Sequence, residues 1–207
     1  MNEKTYTVKL RGKTAATILF TYPDAGVPDH LSRFLANYSA RKMNYAEKLL
    51  LRPANRQISA FANDYKPLSS QSSVQIMTET GSLISLFCDT FLDFGAEGTY
   101  MERDAFTFDK NGRQMSLKNL FVKPFKQVLI PILREQFLSF CRETGAGNTK
   151  NPQKAIQTAI SRGDFYLTDD GIAVFFRQGS IASKIWGIPT FLAEYKKLDG
   201  LLDKRLL

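Results

Sequence analysis

Histidine occurs once, tryptophan once and cysteine twice in these 207 residues. Any Ser-His-Asp or Cys-His centre would have to be built on His30, which stands beside Asp29 where a helix is expected to begin and where a surface role accounts for it. Cys88 and Cys141 sit far apart, each inside an apolar-patterned segment, so two buried free thiols are expected rather than a disulfide framework. One histidine and two distant cysteines do not furnish a closed zinc site. No metal and no cofactor are expected. Proline (8) and glycine (13) are too few for low complexity, and 43% hydrophobic with 23% charged residues is the composition of a packed globule.

Long apolar runs are also missing. The first residues, MNEKTYTVKLRGKTAATILFTYP, lack the apolar stretch of about 7–15 residues of a secretory signal. The densest patch elsewhere, Val128 to Leu133, contains Pro131 and falls short of the roughly 20 residues that cross a bilayer. As the sequence stands a cytoplasmic location is expected, with an extracytoplasmic one if a leader has been removed.

What is present in excess is positive charge, 28 Lys+Arg against 20 Asp+Glu, a formal +8. It is uneven: residues 1–66 hold 11 basic and 5 acidic side chains and residues 121–163 hold 7 and 2, whereas 67–120 hold 4 and 7. Much of the excess falls on expected helices, where solvated faces explain it, with a polyanion-binding surface as the sharper reading. No run of five basic residues and no nucleic-acid module motif occurs, so nucleic acid is not the expected partner.

The patterning predicts strands at Thr5–Leu10 and Ala15–Tyr22, then a helix from Asp29 that Pro53 interrupts, with Leu31, Phe34, Leu35, Tyr38, Tyr45 and Leu49 on one face. Strand signals follow at Ser72–Thr80, Ile84–Phe94 and Tyr100–Asp109, the last closed by Asn111-Gly112, which predicts an antiparallel meander over about 72–116. Phe125, Leu129, Leu133, Phe137 and Cys141 recur at four-residue steps in a second helix that Pro131 should kink or break. Asn151-Pro152 predicts a capped short helix. A hairpin around Asp169-Asp170-Gly171, an edge strand at Pro189–Tyr195 and a short C-terminal helix complete the pattern. Segregated helices and strands predict an α+β fold, an antiparallel or mixed sheet with helices packed on one side, built from two fused lobes rather than a βαβ repeat.

Few motifs carry chemistry. Gly145-Ala146-Gly147 follows a helix instead of a strand, the wrong context for a phosphate cradle, and reads as a helix C-terminal loop. Glu97, Glu102, Asp169 and Asp170 are the acids from which a glycan hydrolase would be assembled, although Asp169-Asp170-Gly171 has the composition of a tight turn. Trp186 reads as core packing, with carbohydrate stacking as the alternative.

Three blocks in order resemble a bacterial domain family of unknown function whose best known member is the C-terminal, lysozyme-recognising region of the anti-sigma-V factor RsiV, a module also found beside peptidoglycan deacetylase domains. They are Ser85 to Phe121, containing FGAEG and FTFDKNGRQMSLKNLF; FYLTDDGIAVFF at Phe165 to Phe176; and SIASKIWGIPTFLAEY at Ser180 to Tyr195. Tyr22-Pro23 and the following helix resemble the small lobe that precedes this domain. Glu97 stands where the family has a loop histidine, Phe94 replaces a loop glycine, and Gln178, Gly179 and Ser180 replace a Pro-Tyr-Glu. The resemblance implies an N-terminal lobe over 1–82, the domain proper over 83–207, an α+β fold, and a non-enzymatic binding or regulatory role without catalytic residues. The +8 charge opposes a strongly basic lysozyme as partner. The expected partner is a protein or an anionic polymer, cell-wall polymers included, met by turns that place Gly95, Glu97, Gly98, Tyr100, Asp169, Asp170 and Trp186 at the surface.

Overall fold

Alternation of small and apolar residues in KTAATILFTY gives a strand that buries Ala16, Ile18, Phe20 and Tyr22 on one face, and the Arg11-Gly12 turn folds the preceding strand back onto it. These are β1 (Asn2–Leu10) and β2 (Lys13–Tyr22) in a computed structural model that describes residues 1–24, 26–61, 64–145, 151–203 and 205–206. They pair antiparallel, with one register irregularity between Val8 and Lys9. Next come α1 (Asp29–Phe61), β3 (Leu68–Glu79), β4 (Leu83–Asp93) and β5 (Thr99–Asp109), completing a mixed five-stranded sheet in the order β1-β2-β3-β4-β5. α2 (Lys126–Thr144), α3 (Pro152–Arg162) and a separate sheet of β6 (Phe165–Leu167), β7 (Gly171–Phe175) and β8 (Thr190–Glu194) follow. The fold is α+β. No helix among the described residues is long and apolar enough to cross a membrane.

The chain forms two compact units, 1–75 with 88–102, and 76–87 with 103–207. In the first, α1 crosses between β2 and β3, which pair in parallel from Ala16↔Leu68 to Thr21↔Ser73. The segregated pattern does not anticipate this parallel crossover. A connection long enough to hold a whole helix permits it. Ala46, Leu50, Ala54 and Ile58 of α1 pack on Ala16, Ile18, Leu68 and Leu92. The expected break at Pro53 is absent: α1 runs on to Phe61 with Pro53, Ala54, Gln57 and Ile58 buried, because that packing outweighs one lost backbone hydrogen bond. Tyr45, expected on the buried face, is exposed, while Lys42 is buried and ion-paired to Glu102 at 2.5 Å.

In the second unit, Leu129, Leu133 and Phe137 of α2 and Ile156 and Ile160 of α3 enclose a core with Phe165, Leu167, Ile172, Val174 and Phe191. Pro131 leaves α2 continuous: it and Gln127, whose carbonyl loses its partner, both lie on the exposed side where water can replace the bond. Asn151 caps α3 as expected, its side chain accepting from the Lys154 amide at 3.0 Å. The Asn111-Gly112 turn returns the chain to β5 through the single bridge Phe108↔Gln114. β6, β7 and β8 are antiparallel throughout. The expected C-terminal helix is not formed among the described residues; a 3₁₀ turn at Tyr195–Lys197 and the bridge Phe121↔Leu202 stand in its place, the backbone being held by Asp203 donating to Leu120. Cys88 is buried and Cys141 half-buried, both as free thiols. Of the loop expected over 144–151, residues 146–150 lie outside the described residues.

Candidate functional site

The turn after β4 is built on two glycines. Gly95 has φ +62°, and a Cβ there would lie 2.6 Å from the Gln57 side-chain oxygen; Gly98, at φ +92°, closes the turn by donating to the Gly95 carbonyl at 3.0 Å. Glu97 projects outward and is held by Arg56, whose guanidinium reaches its two carboxylate oxygens at 2.8 and 2.7 Å. That hydrogen bond, with the positive charge behind it, holds the Glu97 carboxyl below the usual glutamate range. Tyr100 is half-buried against the core of the first unit. These four residues share one unit, where Glu102 is engaged by Lys42.

In the second unit, the Thr168 hydroxyl accepts from the Asp170 and Gly171 amides, so the Asp169-Asp170-Gly171 sequence is the tight turn expected between β6 and β7. Asp169 accepts from the Thr78 hydroxyl at 2.7 Å, and Tyr195 donates to the Thr168 carbonyl at 3.0 Å. Burial pushes the Tyr195 phenol up to about 12, with the Asp169 charge adding to the shift. Trp186 sits on a 3₁₀ turn, 41% exposed and edge-on to Phe140. It is neither a core residue nor a free platform.

None of these residues lines a cavity of about 780 Å³ in the second unit, a volume typical of ligand sites. Five basic residues (Arg103, Lys118, Lys126, Arg162, Arg177) and two acidic ones (Asp104, Asp164) line it, among apolar residues that include Phe106 and Leu117. Local structure fixes one residue of its wall, Asp164. α3 ends at Gly163, φ +78°, in a Schellman arrangement in which Gly163 donates to Ile160 and Asp164 donates to Ala159 at 3.0 Å. The Asp164 carbonyl accepts from Phe175 at 3.0 Å. The Asp164 residue is therefore pinned at both backbone groups and only 7% exposed.

Among the described residues, no donor lies within hydrogen-bond distance of its carboxylate. The nearest cations, Arg162 Nη1 at 3.8 Å and Arg177 Nη2 at 3.9 Å, stand beyond hydrogen-bond distance. Burial raises the Asp164 carboxyl above the usual aspartate range; Arg177 and Arg162 oppose this and Asp104 reinforces it. Arg103 is fixed differently. Its guanidinium carbon lies 4.0 Å from the Phe87 ring centre, 5.5 Å from Tyr166 and 5.9 Å from Phe175, with Nη1 3.4 Å from the Tyr166 hydroxyl. No cluster of three His, Cys, Asp or Glu suited to a metal occurs among the described residues. Sequence reasoning missed this cavity because Arg162, Asp164 and Arg177 form no spaced motif; the only local signal was a lone acid between a helix-ending glycine and an apolar strand.

Residues 118–196 match a family model described as a protein of unknown function, DUF3298. The match spans less than half of the chain. Arg162, Asp164 and Arg177, together with Asp169, Asp170 and Trp186, fall inside the matched segment, and Gly95, Glu97, Gly98 and Tyr100 fall before it. The whole chain is similar in fold to a crystal structure of a DUF3298 family member from Bacteroides fragilis, at TM-score 0.69 and 13% identity over 98% of this chain and 92% of that one. A DUF3298 family protein from Pseudomonas aeruginosa is similar at TM-score 0.57 and 14% identity, over 100% and 93%. No curated protein matches the chain.

Proposed function

We propose that this protein is a non-enzymatic bacterial binding or regulatory module, akin to the C-terminal region of RsiV, that recognises an anionic polymer or an acidic protein surface. The observation that carries the reading is the cavity of the second unit, where five basic side chains face two acids. The exposed turns at Gly95–Tyr100 and Thr168–Gly171 add contact surface on rigid strands. The test is a titration with inorganic polyphosphate at low and high salt. Affinity is expected to fall steeply with salt, as counterion release requires. A flat titration against every polyanion tried, with no partner recovered from host lysate and envelope fractions, overturns the proposal.

A glycan hydrolase is the second reading. Three of its expected acids are already engaged: Glu97 by Arg56, Glu102 by Lys42 and Asp169 by Thr78. The acids in the cavity are Asp104 and Asp164, and a carboxyl raised by burial, like Asp164, is the kind a general acid needs. Release of reducing ends from cell-wall glycan, lost in Asp164→Asn, would establish hydrolysis; no release is expected.

A further inference from the structure

We infer that the cavity of the second unit is a saccharide site that takes an acidic, hydroxyl-rich ligand, with Asp164, Arg162 and Arg177 reading a pair of neighbouring hydroxyls. This rests on the binding reading above and gives it a ligand class.

The inference starts from Asp164. A carboxylate more than nine-tenths buried ordinarily has its lone pairs filled by donors. Here the closest cationic nitrogens stand off at 3.8 and 3.9 Å, and the residue lines the cavity wall. A ligand that donates to Asp164 would offset the part of its desolvation that Arg177 and Arg162 leave uncompensated. A cationic donor is opposed by Arg162 and Arg177 on either side. A bare anion would be welcomed by those guanidinium groups and repelled by Asp164 and Asp104. A hydroxyl satisfies both, donating its hydrogen to the carboxylate and accepting from a guanidinium. Two guanidinium groups flanking one carboxylate match two hydroxyls side by side, the arrangement a sugar ring presents.

The rest of the lining extends this match. Gln114 and Ser161 bring polar side chains to the same cavity, Phe106 and Leu117 bring apolar surface, and the volume of about 780 Å³ admits more than one sugar ring. Lys118 and Lys126 line it as well, so the ligand favoured over a neutral sugar is one that also bears a carboxylate. Arg103, held over the Phe87 ring, supplies a positive charge that needs no ordering when the ligand arrives.

Three probes test this: a tetrasaccharide of alternating glucuronate and N-acetylglucosamine, the neutral tetrasaccharide of N-acetylglucosamine, and inorganic polyphosphate. Calorimetry is expected to show the acidic tetrasaccharide binding about tenfold more tightly than the neutral one. Asp164→Asn and Arg177→Gln should each weaken the acidic tetrasaccharide by about tenfold or more, the usual weight of a hydrogen bond to a charged group. Polyphosphate binding should hold or tighten in Asp164→Asn, because the substitution removes a charge that repels an anion. Arg177 is 58% exposed, so its variant tests the site without disturbing the core. In the unsubstituted protein the amide resonances of Gly163 and Phe165 should shift with the acidic tetrasaccharide. If Asp164→Asn binds that sugar as the parent does, or those amides stay still while polyphosphate binds, the saccharide site is overturned and the anion-binding reading stands. If no probe binds, the saccharide site falls, and the binding reading falls with it when no partner is recovered from host lysate and envelope fractions.

Discussion

Leu167 donates its amide hydrogen to the buried hydroxyl of Ser85 at 2.8 Å, and that hydroxyl meets Thr107 Oγ1 at 2.9 Å. Through these two contacts β6 is tied to β4 and β5 inside the second unit, where all three groups are shut off from water. Ser85→Ala leaves the Leu167 amide without its acceptor. The expected cost is about 1–3 kcal/mol, the penalty for an unsatisfied buried donor, read as a lower midpoint in denaturant unfolding. An unchanged midpoint would mean that another acceptor replaces Ser85.

Gly171 is needed for space rather than for backbone freedom. A Cβ there would lie 2.4 Å from the Ala193 carbonyl oxygen and 2.8 Å from Glu194 Cα, across the pairing of β7 with β8. Gly171→Ala should destabilise the second unit by about 1–3 kcal/mol through overpacking. Gly81→Ala, where a Cβ meets nothing within 4 Å, serves as control and should change stability by less than about 0.5 kcal/mol.

The Asp164 carboxyl is raised in the folded state, chiefly by burial, so the folded protein holds that proton more tightly than the unfolded chain does. Its contribution to stability is then fully present below the unfolded pKa of an aspartate and is lost as pH rises through the folded value. Asp164→Asn removes the charge and keeps the shape. The variant should melt above the parent at neutral pH, and the gap should close as pH falls into the ordinary carboxyl range. Thermal melts across that range check it; a gap that widens toward acid would reverse the sign.

Glu97 behaves oppositely. The Arg56 hydrogen bonds and charge lower its carboxyl, so the pair's contribution is present above the unfolded pKa of a glutamate and is lost as pH falls through the folded value. Arg56→Ala should return the Glu97 carboxyl toward the ordinary range, as followed by carbon NMR titration. No shift on substitution would show that the ion pair does not persist in solution.

The legible parts of the fold were those governed by near neighbours in the chain. Asn151-Pro152 announced a helix start, Asn111-Gly112 and Asp169-Asp170-Gly171 announced turns, and four-step spacing from Phe125 announced α2, because caps, turns and amphipathic periods act over a few residues. Pro53 and Pro131 misled for the same reason. Local propensity argues for a break, and packing of Leu50 and Ile58 in one helix, or exposure of the freed carbonyl side in the other, overrides it.

By itself, then, the chain's order of side chains determined an α+β protein with a basic surplus, no disulfide framework and turns at stated places. Tertiary structure alone decided that β2 and β3 run parallel across α1, that Lys42 is buried on a carboxylate partner, and that Arg103, Asp164 and Arg177 line one cavity. Those outcomes depend on residues separated by tens of positions and brought together by burial of apolar surface, and no spacing rule along the chain encodes such a meeting.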